Sequence, residues 1–187
     1  MTMTRPDTPH HTLFLMRHAK TEGYNELGDK ARGLTSRGRD QAGDAGLELA
    51  GRGVDLVLCS TSTRTRQTLA ALGLKLPNGE PVPVQYMDAL YLGSSDVLRQ
   101  RISEIEEDVA NLLVIGHSPA IPTLSAELAW ATSHREADQM QCSFPTSTVS
   151  EFVIEGPWAV FDAGIPEQAR LAAIWRPRKQ HPDSGAL

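Results

Sequence analysis

The chain has 187 residues, of which 40% are hydrophobic and two are cysteine, and its formal net charge is −5. That length suits a single domain whose core is large enough to need no disulfide or metal staple. The negative balance argues against a nucleic-acid partner, no apolar run approaches the roughly 20 residues of a bilayer span, and the sparse cysteines fit a reducing cytoplasm.

Residues 1–11, "MTMTRPDTPHH", read as a polar N-terminal tail that leaves His10 and His11 solvated. A short apolar strand is predicted at 12–17. A helix over 35–52 follows, with Thr35 as N-cap, although its internal glycines weigh against it. The alternation continues with a strand at 54–60, a helix at 62–73, a strand at 82–87, a helix at 94–108, a strand at 111–117 and a helix at 119–131. The stretch 131–147, which carries His134, reads as a loop. Runs at 147–155, 158–161 and 171–175 look strand-like, and 176–187 reads as a disordered tail. Short apolar runs alternating with amphipathic ones predict an α/β domain over 12–175. Its central sheet should be mostly parallel, flanked by helices.

Open α/β sheets bind ligands beyond the carboxyl ends of their strands. The first strand runs into Arg17-His18, the second into Cys59-Ser60 with Arg64 just after, and the fourth into Gly116-His117. Two histidines and two arginines therefore converge on one edge. Two cation-dependent chemistries could use the stretch "CSTSTR" (59–64). A cysteine-phosphatase loop needs five residues between thiolate and arginine, and only four stand here, so Cys59 reads as a buried strand residue. The nucleophile is then expected to be His18, because an unprotonated imidazole is nucleophilic near neutral pH. Arg17, Arg64 and a protonated His117 would neutralise the attacked phosphoryl group and its transition state.

These residues resemble the histidine phosphatase superfamily, with its phosphoglycerate mutase-like fold. The matching elements are "RH" (17–18) in "LMRHAK", "LTSRG" (34–38), Ser60, Arg64 and Thr68 in "CSTSTRTRQT", and "GH" (116–117). Within the superfamily the chain is most similar to the short SixA-type phosphohistidine phosphatases. The resemblance implies His18 as phospho-acceptor, with Arg17, Arg64 and His117 as phosphate ligands. It also implies substrate contacts from Arg32 and Ser60, and from Lys20, which stands where many relatives carry the Glu of "RHGE". The nearest counterpart of the mutases' general acid is Asp88. The expected activity is hydrolysis of phosphohistidine or a small phosphoester through a phosphohistidine enzyme intermediate, with no cofactor or metal. The expected partner is a phosphorylated protein or small metabolite. A broad phosphomonoesterase, or a non-catalytic phosphate-binding adaptor on the same fold, are the alternatives.

Overall fold

In the computed structural model, which describes residues 10–178, six strands build one sheet. They are β1 (His10–Arg17), β2 (Leu56–Ser60), β3 (Val84–Met87), β4 (Asn111–Gly116), β5 (Val149–Glu155) and β6 (Arg170–Trp175). The spatial order is β3-β2-β4-β1-β5-β6. Strands β3, β2, β4 and β1 are mutually parallel, whereas β5 runs antiparallel to both β1 and β6. The predicted, mostly parallel sheet is therefore present, with an antiparallel flank.

Five helices cover it: α1 (Ser36–Leu49), α2 (Thr63–Leu72), α3 (Ser95–Ser103), α4 (Ala120–Ala129) and α5 (His134–Cys142). Alternate residues of the central strands feed two layers, as the period of two requires. Leu13, Leu15, Leu58, Leu112 and Val114 face the α3 and α4 side, where Leu98, Ile102, Ile121 and Leu124 meet them. Phe14, Met16, Val57, Leu113 and Ile115 face the other side and pack with Ala45 and Leu49 of α1 and Leu72 of α2. Burial on both faces explains why these strands read as unbroken apolar runs. Each such side chain contributes about 1.5–3 kcal/mol by leaving water.

The glycines of α1 have a packing reason. A Cβ on Gly38 would lie 2.0 Å from the Lys20 carbonyl oxygen, and one on Gly46 would lie 2.1 Å from that of Leu72. Both positions let α1 approach neighbouring backbone, which outweighs the roughly 0.5–1 kcal/mol helix cost of glycine. Thr35 caps α1 as expected, accepting a 3.0 Å bond from Gly38 N.

Four expectations are corrected. Strand β1 starts at His10, so His10 and His11 do not belong to a tail; His11 is buried, bonded through Nδ1 to Gly156 O, and packed on Trp158. The residues 158–161 form a 3-10 turn in which Trp158 and Phe161 are buried, so their apolarity served a helical face instead of a strand. The stretch 131–147 contains α5, capped by Ser133 and anchored by buried Ala137 and Met140. Helix α3 stops at Ser103, short of the predicted 108. Of the two predicted tails, 1–9 and 179–187 lie outside the described residues. Among the described residues, no helix is long and apolar enough to cross a membrane.

Candidate active site

Strands β1 and β4 are neighbours in register, with Arg17 opposite Gly116, and His18 N donates to Gly116 O at 3.0 Å. The next residue on each strand is a histidine. Parallel pairing thus sets the His18 and His117 rings 5.2 Å apart, inclined by 56°. Helix α2 starts after β2 and carries Arg64 in its first turn, under the N-cap Ser62. One hydroxyl locks these parts together: Thr68 Oγ1 accepts from Ala19 N at 3.0 Å and donates to Arg64 O at 2.7 Å.

His18 is 8% exposed. Its Nδ1 lies 2.8 Å from Ala19 O, and a carbonyl can only accept, so the proton sits on Nδ1 and the Nε2 lone pair is free. Burial lowers its pKa to about 4; the Ala19 bond opposes this, and Arg64, Arg17 and Arg32 add to it. A neutral, cation-flanked imidazole is the state a nucleophile needs.

His117 is 7% exposed, and its pKa falls to about 3, chiefly by burial and then by His18 and Arg64. Its Nδ1 accepts from Arg64 Nε at 3.3 Å, so Nε2 carries the proton and donates to Ser60 Oγ at 2.8 Å. The expected protonated His117 is thus corrected: in the free site it is neutral. Ser60 is corrected too. It is fully buried and bonded to His117, so it holds the imidazole and does not face substrate.

Arg64 is 7% exposed and engaged by neighbours through three of its N–H groups. NH1 donates to Asp29 O at 2.7 Å, NH2 donates to Asp29 Oδ2 at 3.0 Å, and the guanidinium lies over Tyr91. Arg17 ends β1 directly before His18. NH1 donates to Phe144 O at 2.7 Å, while its buried Nε has no protein partner among the described residues. Burial lowers the Arg17 pKa, and the arginine's charge contributes to lowering both histidines.

The remaining predicted residues are placed differently. Arg32 is tied into its own loop, donating to Glu22 O, Thr21 Oγ1 and Asp29 Oδ1. Lys20 is exposed, and its carbonyl receives Thr35 N. Asp88 lies on the rim with a side chain 77% exposed, paired with Lys30 Nζ at 2.5 Å and with the Thr61 hydroxyl. These partners, Lys30 first, hold its carboxyl below the ordinary carboxylate range. That is opposite to the direction a general acid requires. Burial pushes the Cys59 thiol up to about 12, consistent with the rejection of a thiolate.

Sequence reasoning missed two residues. Asp29 receives Tyr91 OH at 2.7 Å and Arg32 NH1 at 2.8 Å besides Arg64, and Tyr91 meets His117 edge-on at 5.6 Å. Tyr91 follows the 3-10 turn Asp88–Leu90 that continues from β3, so the strand-end rule, applied there only to Asp88, passed it over. Nothing in the sequence around Asp29 marks it. Among the described residues, no group of three or more His, Cys, Asp or Glu is gathered as a metal site would need.

A model of the histidine phosphatase superfamily (branch 1) matches residues 13–91. The Mycobacterium tuberculosis protein Rv1276c, itself uncharacterized, is 36% identical over 167 residues, covering 87% of this chain and all of the relative. Phosphohistidine phosphatase SixA of Escherichia coli is 32% identical over 120 residues, covering 62% of this chain and 73% of that protein. A solved structure from Nakamurella multipartitia, assigned as a SixA-type phosphohistidine phosphatase, superposes with a TM-score of 0.77 at 34% identity. It covers 90% of this chain and 96% of the other. The chain belongs to the histidine phosphatase superfamily, and it is a phosphatase.

Proposed function

We propose that this phosphatase acts on phosphohistidine, using His18 as nucleophile. The observation that carries the reading is the His18 ring itself, with its proton held on Nδ1 by Ala19 O and a free Nε2 beside Arg64 and His117. In the first step Nε2 forms a bond to phosphorus as the bond from phosphorus to the substrate's imidazole nitrogen breaks. The departing imidazole takes a proton from water. In the second step water attacks the phosphoryl-His18, giving inorganic phosphate and regenerating the neutral imidazole. Arg64 and Arg17 would stabilise the equatorial oxygens, and His117 would join them through Nδ1 once the bound dianion draws a proton onto that nitrogen, the role that aimed donors play in phosphoryl transfer.

Phosphohistidine is favoured over an alkyl phosphoester because neither Asp29 nor Asp88, the two carboxyls bonded around the site, is held in the acidic form that protonates an alkoxide. Asp29 and Asp88 are both held below their ordinary range, Asp29 first by Tyr91 and then by Arg32, and Asp88 first by Lys30. Similarity to the Escherichia coli and Nakamurella phosphatases supports the same substrate class. The test is a quenched reaction with a labelled phosphohistidine protein, run beside small phosphoesters. An acid-labile, base-stable adduct on His18, absent in His18→Ala, is expected, with the phosphohistidine protein the faster substrate. An adduct elsewhere, or full activity in His18→Ala, rejects the nucleophile; faster turnover of the phosphoesters rejects the substrate class.

A further inference from the structure

Arg64 reaches the free site already engaged. A guanidinium has five N–H groups. One points to His117 Nδ1, and Asp29 takes one from each terminal nitrogen, through its carbonyl and its carboxylate. Asp29 is itself held from two further directions, by Tyr91 OH at 2.7 Å and Arg32 NH1 at 2.8 Å. It opens a 3-10 turn, Asp29–Ala31, entered through Gly28 at φ 95 and pinned on the next residue by the Lys30–Asp88 pair. The carboxylate therefore makes, with the arginine, the kind of contact a phosphoryl oxygen would make.

We propose that Asp29 is a positioning residue for Arg64 and an internal competitor of the phosphoryl group. It keeps the guanidinium aimed while the site is empty. It must then share or surrender N–H donors when a tetrahedral oxyanion arrives. The proposal rests on the reading that Arg64 is a phosphoryl ligand. Two anionic groups on one guanidinium repel, so Asp29 weakens the hold on every oxyanion, inorganic phosphate included. The product is the species most affected, since no covalent bond retains it. Asp29 thus favours release of phosphate after each turnover.

The experiment measures binding of inorganic phosphate and of vanadate to the full chain by titration calorimetry, together with kcat and KM on an aryl phosphate. Asp29→Asn keeps the size of the side chain and an oxygen for Arg64 and Tyr91 but removes the charge. It should bind phosphate and vanadate about tenfold more tightly, the equivalent of ~1.4 kcal/mol, and lower KM without raising kcat. Asp29→Glu restores the charge and should stay within about threefold of the parent, because only the carboxylate's reach changes. Unchanged or weaker phosphate binding in Asp29→Asn overturns the proposal. Arg64→Ala separates the two readings. If it abolishes phosphate binding while Asp29→Asn gains nothing, only the competitor role fails. If it leaves phosphate binding intact, the phosphoryl-site reading fails with it.

Discussion

Arg64 Nε donates to His117 Nδ1 across 3.3 Å, so two residues that would face a phosphoryl group are bonded to each other in the free enzyme. The bond fixes the His117 tautomer, and with it the direction of the Nε2 proton toward Ser60. A bound phosphoryl dianion would draw both partners toward itself, and the arrangement holds them close to that target beforehand.

Ser60→Ala tests this alignment. It leaves the buried His117 Nε2–H with only the distant Ser62 hydroxyl, at 3.5 Å. A buried donor that loses its partner costs about 1–3 kcal/mol, so the melting temperature should drop by several degrees. The value of kcat/KM should fall by about 10- to 100-fold, since a misaimed donor stabilises the transition state less. Steady-state kinetics with parallel thermal melts separate the two effects. A thermal loss with unchanged kinetics would make Ser60 purely structural.

The pH dependence of stability follows from the two imidazoles. Their folded pKa values, about 4 for His18 and about 3 for His117, lie below the ordinary 6.5. Between pH 6.5 and about 4 the unfolded chain therefore binds protons that the native site refuses. Stability should fall as pH drops through that window, by up to ~1.4 kcal/mol per pH unit for each group. Urea unfolding of the parent and of a His18→Asn/His117→Asn double variant, from pH 7.5 to 4.5, should show a flatter profile in the variant. Equal slopes would mean that the imidazoles titrate normally.

Asp88→Asn should change kcat/KM by less than about threefold, with no dependence on the leaving group across aryl and alkyl phosphates. The carboxylate is on the rim, ionised and committed to Lys30 and Thr61. A selective loss on alkyl phosphates would restore it as an acid.

Helix α1 offers a stability test within one element. Gly38→Ala and Gly46→Ala each drive a Cβ into backbone carbonyls and should cost about 1–3 kcal/mol or more, as overpacking does. Gly43→Ala meets nothing nearer than Ala71 O at 4.0 Å and should be neutral or stabilising by up to ~1 kcal/mol. Chemical denaturation of the three variants decides this.

The same contrasts show what could be read from the sequence. The parallel strands were legible because burial on both faces leaves an unbroken apolar signal, and the strand-end rule then pointed at His18, His117 and Arg64. Helix α5 was hidden because its only buried anchors, Ala137 and Met140, are diluted by a charged face. His11 was missed because a residue that pairs through backbone and stacks on a distant Trp158 leaves no local pattern. The commitments of Ser60, Arg32 and Asp88 depend on partners 57, 10 and 58 positions away in the chain, and spacing does not reveal such hydrogen bonds.

The adjacency of β1 and β4 has a consequence for how this scaffold can be altered. The spacing of the two imidazoles is set by one rung of a central parallel ladder, from Arg17 opposite Gly116 to the following residue on each strand. A slip of one residue would displace one ring by about 3.3 Å and turn its side chain to the opposite face. The segments 20–33 and 131–147 carry no part of that ladder. A designer could therefore vary those segments around Asp29, Arg32, Phe144 and Ser147, which hold Arg64, Arg17 and the His18 backbone, to admit a bulkier or smaller phosphorylated partner while the pair of rings stays in gauge.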